Sequence, residues 1–358
     1  MAKNNSTITD VARAAAVAVG TVSRVLNNHP EVNEDIRNRV WQAARRLGYQ
    51  RRRQRKAPRD TRVNGAAAGN IAIICFGMED TLVQLPVVSS ALQGIERALS
   101  TQGRSLMIAN IPNGDRIPPF LKEGHVEGLI LKGPNQGELP SDSELVREIY
   151  RLPRVWLMGR LNNARGDHCN FDTDIAGRLV AEHFRDRHHR RVAFFNPKPG
   201  QTQFEKVKNS FAASATRLGL AYSLLESPPP ERLAWPLPAI TAEDNVTRLA
   251  DRWAALPARS RPTALFIPSD RTAVQLYSVL QRRNIQIGKE VSIISCNNEK
   301  SLFTSLHPSL TSIDVHAELI GRRAVDQLLW RIAHPTESID TQVLVEPVLV
   351  ERASVGTL

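Results

Sequence analysis

Cysteine is scarce. There are three in 358 residues, Cys75, Cys169 and Cys296, odd in number and far apart. That excludes a disulfide framework and a cysteine-rich zinc site, and suits reduced thiols. No apolar run reaches the roughly 18 residues of a membrane-spanning helix. No apolar stretch follows Lys3, so no secretory signal is expected. The chain has no phosphate loop, no Gly-x-Ser-x-Gly and no Gly-x-Gly-x-x-Gly. Nucleotide, serine-hydrolase and dinucleotide chemistry therefore lack their usual marks. No metal-ligand spacing is present either. His183, His188 and His189 cluster among Arg185, Arg187, Arg190 and Arg191, which is the composition of a solvated helix end. The expectation is a chain with no catalytic constellation, no cofactor and no metal.

Acidic residues are also short, but only in one place. Residues 1–62 hold 14 Lys+Arg against 5 Asp+Glu, a net of +9, within a whole-chain net of +11. The remainder has 33 against 31, a net of only +2. A charge excess confined to the first sixth implies a polyanionic partner for that part. A membrane surface would call for bulky apolar residues beside the basic ones. Arg51-Arg-Arg-Gln-Arg-Lys56 has none, which leaves nucleic acid and argues against a membrane partner.

What the basic segment does contain is a helical pattern. Thr7 is an N-cap candidate with Asp10 three residues on, in capping-box spacing. Val11, Ala14 and Ala15 then form one apolar face. Val17 fits a tight link. Val22, Val25 and Leu26 form the inner face of a second helix, which leaves Val19, Gly20, Ser23 and Arg24 outward. Asn33 caps a third helix with Ile36, Val40, Ala43, Ala44 and Leu47 inward, and Gly48 suits its C′ position. Two short helices with a tight link suit a helix-turn-helix, whose second helix enters the major groove. Periodicity alone leaves a plain three-helix bundle open; the charge favours DNA.

Residues 51–69 read as a basic linker, Arg-rich and then small. From Asn70 short buried-strand runs alternate with helices: strands at 71–76, 106–109, 128–131 and 155–158, then, after Phe171, at 192–195, 222–225, 264–267 and 291–294. Alternation of this kind makes parallel βαβ units, and two series make two doubly wound lobes. The fold class is α/β: a helix-turn-helix head plus two doubly wound parallel lobes. The expected organisation is a head at 1–50, a linker at 51–69, a first lobe at 70–168 plus 317–333, and a second at 169–314 plus 336–358. Ligands bind outside the carboxyl ends of such strands. Arg160, the pair Ser269-Asp270 and Asn297 follow strand runs and are the ligand candidates, with simple helix capping as the alternative for Ser269 and Asp270.

These residues resemble the LacI/GalR family of bacterial transcription regulators along nearly the whole chain. The head carries the strongest match: Ile8-Thr-Asp10-Val-Ala, Thr21-Val-Ser-Arg24-Val-Leu-Asn27, Val32 and Leu47-Gly-Tyr49. Looser matches follow in order at Gly128-Leu-Ile-Leu131, His189-Arg-Arg-Val-Ala193, Pro262-Thr-Ala-Leu-Phe266 with Asp270, Pro308 to Ile313, Gly321, and Pro347 to Ser354. The resemblance implies a periplasmic-binding-protein-like core and a cytoplasmic, nucleoid-associated homodimer. It implies a near-palindromic double-stranded operator and a cleft effector, usually a sugar. By position it places Val19, Gly20 and Arg24 at base edges, and Thr7, Thr21, Ser23, Asn27 and Asn33 near phosphates. Arg24 would read a guanine bidentately.

The chain also departs from that family. Ala18 stands where a capping Ser is usual, a loss of about 1 kcal/mol. The linker lacks the family's hinge-helix leucine, and Pro58 falls near it, where a helix interior would be broken. Arg51, Arg52 and Arg53 then either track phosphates or a narrow minor groove, or form a basic tether. Val207 replaces the family's sugar-binding Arg, with Lys206 beside it as the candidate, and Asn297 replaces the usual Asp. The leading reading is a ligand-responsive repressor of carbohydrate-utilisation genes and not an enzyme. A non-specific architectural DNA binder with a sugar-sensing core is the runner-up. A transported-solute receptor would need a secretory signal and no basic head.

Overall fold

The computed structural model describes residues 7–26, 32–47, 69–76, 85–112, 116–133, 137–140, 142–228, 243–303 and 305–358. The chain divides into two compact units, Met1–Ala66 and Ala67–Leu358.

The first unit holds α1 (Ile8–Ala15), α2 (Val19–Leu26) and α3 (Glu34–Arg46). The capping box at Thr7 forms in both directions: the Asp10 amide donates to Thr7 Oγ1 at 3.3 Å, and the Thr7 amide donates to Asp10 Oδ2 at 2.9 Å. Asn33 Oδ1 likewise accepts from the Asp35 amide at 2.9 Å, capping α3. The core is Val11, Ala12 and Ala15 against Val22, Val25, Val40, Ala43 and Ala44. One expectation is corrected. Ala12, not Ala14, completes the buried face of α1, and Ala14 is exposed. Gly48 lies outside the described residues.

Among its described residues the second unit contains two six-stranded sheets of the same plan. The first runs β11-β5-β4-β3-β1-β2 and the second β12-β10-β9-β8-β6-β7. Their strands are β1 (Asn70–Phe76), β2 (Leu106–Ile111), β3 (Val126–Lys132), β4 (Arg154–Leu157), β5 (Asp167–Phe171) and β11 (Gln342–Val345), then β6 (Arg191–Asn196), β7 (Ala221–Glu226), β8 (Ala264–Phe266), β9 (Ser292–Cys296), β10 (Thr311–Asp314) and β12 (Val348–Val350). All the pairings are parallel except β10 with β12. Helices α4 (Pro86–Ser100) and α11 (Ala317–Ala333) pack together on the first lobe, and α7 (Thr173–Asp186) with α8 (Thr202–Arg217) on the second. The other α-helices among the described residues are α5 (Pro119–Glu123), α6 (Glu144–Ile149), α9 (Glu243–Ala254) and α10 (Asp270–Arg282).

The lobe boundaries expected at 168/169 and 336 are corrected. β5 runs to Phe171 and pairs with β4, and β11 pairs with β5, so 169–171 and 342–345 belong to the first sheet. Asp167 secures this corner. It is fully buried, accepts from Gln327 Nε2 at 2.8 Å and the Thr341 amide at 2.7 Å, and receives the Arg331 guanidinium on both oxygens.

In each sheet the chain order reverses beside one strand. β1 lies between β3 and β2, and β6 lies between β8 and β7. The crevice at such a reversal, outside the carboxyl ends of the strands, is where doubly wound sheets take ligands.

Candidate DNA-reading helix and ligand crevice

In the head, Val22 and Val25 are locked into the core, which fixes which face of α2 points out. Val19 is 42 % exposed. Gly20 and Arg24 are exposed, and Thr21 and Ser23 are half-buried on the same side. A Cβ built on Gly20 would meet nothing within 4 Å. The outward face thus carries one long donor, Arg24, beside an apolar Val19 and a bare Gly20. Ala18 offers α2 only its carbonyl, which accepts from the Thr21 and Val22 amides at 2.9 and 3.2 Å.

The link before α2 turns through Ala16 at φ 50°, ψ 51°, the left-handed region. It is held from α3: Arg39 Nη2 donates to the Ala15 carbonyl at 2.6 Å and the Ala16 carbonyl at 3.4 Å. Thr7 and Asn33 sit at helix starts, with their side chains already serving as caps. Asn27, Arg51, Arg52 and Arg53 lie outside the described residues.

In the core, the ligand candidates part into two groups. Arg160 leaves the end of β4 and turns back: Nη1 donates to the Gly166 carbonyl at 2.7 Å and to Asp340 at 3.0 Å. Lys206 is exposed on the second turn of α8. Both bear on the half-buried His168 of β5. Burial, then Arg160, then Lys206, lower its imidazole to about 4, so it is neutral at neutral pH.

The second group surrounds Asp270, which is corrected as an open ligand contact. Its carboxylate is fully buried and consumed by the fold's own donors. Ser295 Oγ donates to Oδ1, Ser312 Oγ donates to Oδ1 at 2.7 Å, and the Glu299 amide donates to Oδ2 at 2.7 Å. Burial pushes its pKa up to about 7 against those bonds. Ser269 is the half-buried N-cap residue of α10, but its side chain makes no cap bond. Asn297 is half-buried at φ 115°, just past β9, with its amide fixed to the Ile313 carbonyl at 2.9 Å.

Two residues that the strand-end reading passed over stand out. Lys132, the last residue of β3, is 4 % exposed, and its Nζ donates to the Gly133 carbonyl at 2.7 Å. It pairs in register with Cys75 at the end of β1, at the reversal point of the first sheet. Burial lowers its pKa to about 8, which leaves it mostly charged at neutral pH. The signal was available, because Lys132 directly follows Gly128-Leu-Ile-Leu131. Glu299 is the other. Its Oε1 accepts from the Val87 amide at 3.2 Å, so a carboxylate of the second lobe meets the first turn of α4 in the first lobe. No sequence pattern marks that contact.

Among the described residues no cluster of His, Cys, Asp and Glu could hold a metal. No described helix is long and apolar enough to cross a membrane.

A capped helix-turn-helix head and a two-lobed crevice core define the class: a DNA-binding regulator with a small-molecule receptor domain. Comparison with known proteins agrees. The model of bacterial regulatory proteins of the lacI family matches residues 7–52, and that of the periplasmic binding protein-like domain matches 181–355. The HTH-type transcriptional repressor PurR of Aliivibrio fischeri is 26% identical over 360 residues, covering 98% of each chain. The ribose operon repressor of Escherichia coli is 25% identical over 358 residues, covering 98% of this chain and 99% of its own. Among solved structures, the cellobiose complex of the transcriptional regulator CelR superposes with a TM-score of 0.64 at 20% identity, over 98% of this chain and 100% of its own. The lac repressor dimer bound to operator and the anti-inducer ONPF gives 0.61 at 18%, over 98% and 99%. Residues 7–52 thus match a lacI-family head and residues 181–355 a periplasmic binding protein-like core.

Proposed function

We propose that this regulator is a cytoplasmic, nucleoid-associated homodimeric repressor of carbohydrate-utilisation genes, released or recruited by a sugar-like effector in the crevice of its core. The observation that carries the DNA reading is the outward face of α2, where Arg24 projects from a helix clamped by Val22 and Val25. One such helix per protomer reads one half-site of a near-palindrome. Arg24 would contact a guanine and Val19 a thymine methyl. Thr7, Thr21, Ser23, Asn27 and Asn33 would lie along phosphates, with Arg51, Arg52 and Arg53 adding charge from the linker.

The dimer reading is supported by two edge strands in equivalent places. β2 exposes Ile108 at 57 % and β7 exposes Leu224 at 38 %, one on each lobe. A two-fold pairing along these edges would cover both. The named relatives are the transcriptional repressor PurR and a ribose operon repressor, which supports repression and a small-molecule effector. The effector acts by population shift: it favours one arrangement of the lobes by its differential affinity, and that bias reaches the DNA heads. Arg160, Lys206, Ser269 and Asn297 are the crevice residues proposed to meet it. Nothing in this scheme needs catalysis, a cofactor or a metal.

The test is selection of bound genomic fragments by the purified protein at fixed moderate salt. Enrichment of a shared palindrome supports the repressor. A steep salt slope without sequence preference supports an architectural DNA binder instead.

A further inference from the structure

We infer that the second lobe carries a further contact for double-stranded DNA, at the end of the lobe where its helices turn into its strands. The contact is separate from the crevice and from the outward face of α2, and it lets the protein hold a second stretch of duplex.

Among the described residues each lobe has four connections that lead from a helix into a strand: α4 to β2, α5 to β3, α6 to β4 and α11 to β11, then α7 to β6, α8 to β7, α9 to β8 and α10 to β9. The strands they enter are parallel, so the four connections of a lobe meet at one end of its sheet. In the first lobe these are residues 100–106, 123–126, 149–154 and 333–342, with three Lys+Arg and three Asp+Glu. In the second they are residues 186–191, 217–221, 254–264 and 282–292, with nine Lys+Arg against two Asp+Glu. Helix dipoles favour cations at carboxyl-terminal turns, but they act alike on both lobes and do not explain the difference. Residues 63–358 carry a net of only +2, so the excess is a segregation of charge, which marks a polyanion-binding face.

Some of these cations brace the protein itself. Arg187 pairs with Glu351 and Arg283 with Asp251. Arg191 Nε donates to the Arg261 carbonyl at 2.9 Å, and Arg261 Nε to the Leu256 carbonyl at 3.1 Å. Others are spare. Arg190, Arg217, Arg259 and Arg282 stand one on each connection, exposed, and their side chains make no hydrogen bond or ion pair among the described residues. Lys289 is exposed and unpaired in the same way. The two acids do not answer them: Asp186 pairs with Arg185, and Glu290 Oε2 accepts from the Gln286 amide at 2.7 Å. The strands lie in the order β9-β8-β6-β7, so the spare cations are spread over about 14 Å of sheet. Forked guanidiniums at that spread suit successive backbone phosphates rather than one small anion. No large apolar side chain is exposed on these connections, which disfavours a membrane or an apolar peptide. The head brings duplex DNA to the molecule at high local concentration, which commits the occupant to DNA over an acidic polypeptide. In that respect the inference rests on the DNA reading above.

The experiment is co-capture by the full-length protein of two random-sequence duplexes of about 40 base pairs, one fixed to beads and one fluorescent, at low and moderate salt. Wild type is expected to carry the fluorescent duplex to the beads. The combined variant Arg190→Gln, Arg217→Gln, Arg259→Gln, Arg282→Gln should stay on the fixed duplex but carry at least about tenfold less of the second one. A charge-matched variant of the first lobe, Lys122→Gln, Arg147→Gln, Arg322→Gln, Arg323→Gln, changes only exposed residues and keeps co-capture. If the fourfold second-lobe variant melts early, Arg190→Gln with Arg282→Gln carries the same test through a several-fold fall. No co-capture by wild type, co-capture surviving in the second-lobe variants, or an equal loss in the first-lobe variant would overturn the inference. Polyglutamate that displaces the fluorescent duplex as well as unlabelled duplex does, at equal charge, would assign this end to an acidic polypeptide and overturn it too. Failure of the head reading shows separately, as loss of the second-lobe variant from the fixed duplex; that outcome keeps the second-lobe contact and denies the head.

Discussion

Gly94 and Gly321 let α4 and α11 cross backbone to backbone. A Cβ on Gly94 would stand 2.0 Å from the Glu318 carbonyl oxygen, and one on Gly321 would stand 2.0 Å from the Ala91 carbonyl oxygen. The contact is reciprocal, and it joins a helix that meets Glu299 to a helix that arrives from β10 of the second lobe. Gly94→Ala or Gly321→Ala is expected to destabilise the core by about 1–3 kcal/mol through overpacking. The double variant should cost less than the sum, since one separation of the helices relieves both clashes. Urea unfolding followed by circular dichroism checks it. Purely additive losses would mean the two sites are independent.

Asp270 gives the core a pH dependence of known sign. Its folded pKa is raised to about 7 from an ordinary 3.8, so between those values the native state holds a proton that the unfolded chain has released. Stability from this group is therefore full below its ordinary value and lost as pH rises toward 7. Asp270→Asn should flatten that slope in denaturant midpoints taken from pH 4 to 8, whatever it does to absolute stability. An unchanged slope would place the titration elsewhere.

Much of the fold was legible because its strands are apolar and its caps are short-range. The Thr7–Asp10 box needs only three residues of spacing, and Ile71 to Phe76 is buried on both faces. β5 was not legible. Asp-His-Cys-Asn-Phe has no apolar run, and its place is set by pairing with β4 and β11, one of them far away in sequence. Ala12 and Ala14 could not be told apart by hydrophobicity, since both are alanines. The strand-end rule found the right neighbourhood at Ser269-Asp270 but not the direction of the carboxylate. That direction is set by Ser295 and Ser312 on other strands. The same rule, applied one residue past Leu131, reaches Lys132.

Ala16 occupies the left-handed turn of the head without the glycine that such a turn favours. Ala16→Gly should stabilise the head by about 1 kcal/mol, because an L side chain costs roughly that in this region. Amide exchange of the α1 and α2 peptides would slow. Faster exchange would show that the Arg39 hydrogen bonds to this turn already offset the strain.

Glu299→Ala removes the acceptor at the start of α4, which has no other side-chain cap. A loss of about 0.5–2 kcal/mol at that helix end is expected. It should read out as faster exchange in residues 85–92 and a larger radius of gyration by X-ray scattering. No change in either would deny Glu299 a role in holding the lobes.

The central claim is that α2 reads sequence through Arg24. The most direct measurement is a binding titration of wild type and Arg24→Ala against the selected palindrome and its single-base variants, at several salt concentrations. The account predicts a loss of about 1–3 kcal/mol in the variant, with discrimination relaxed at one base pair per half-site. Equal affinity of wild type and variant for the palindrome and for scrambled DNA at every salt concentration would contradict it.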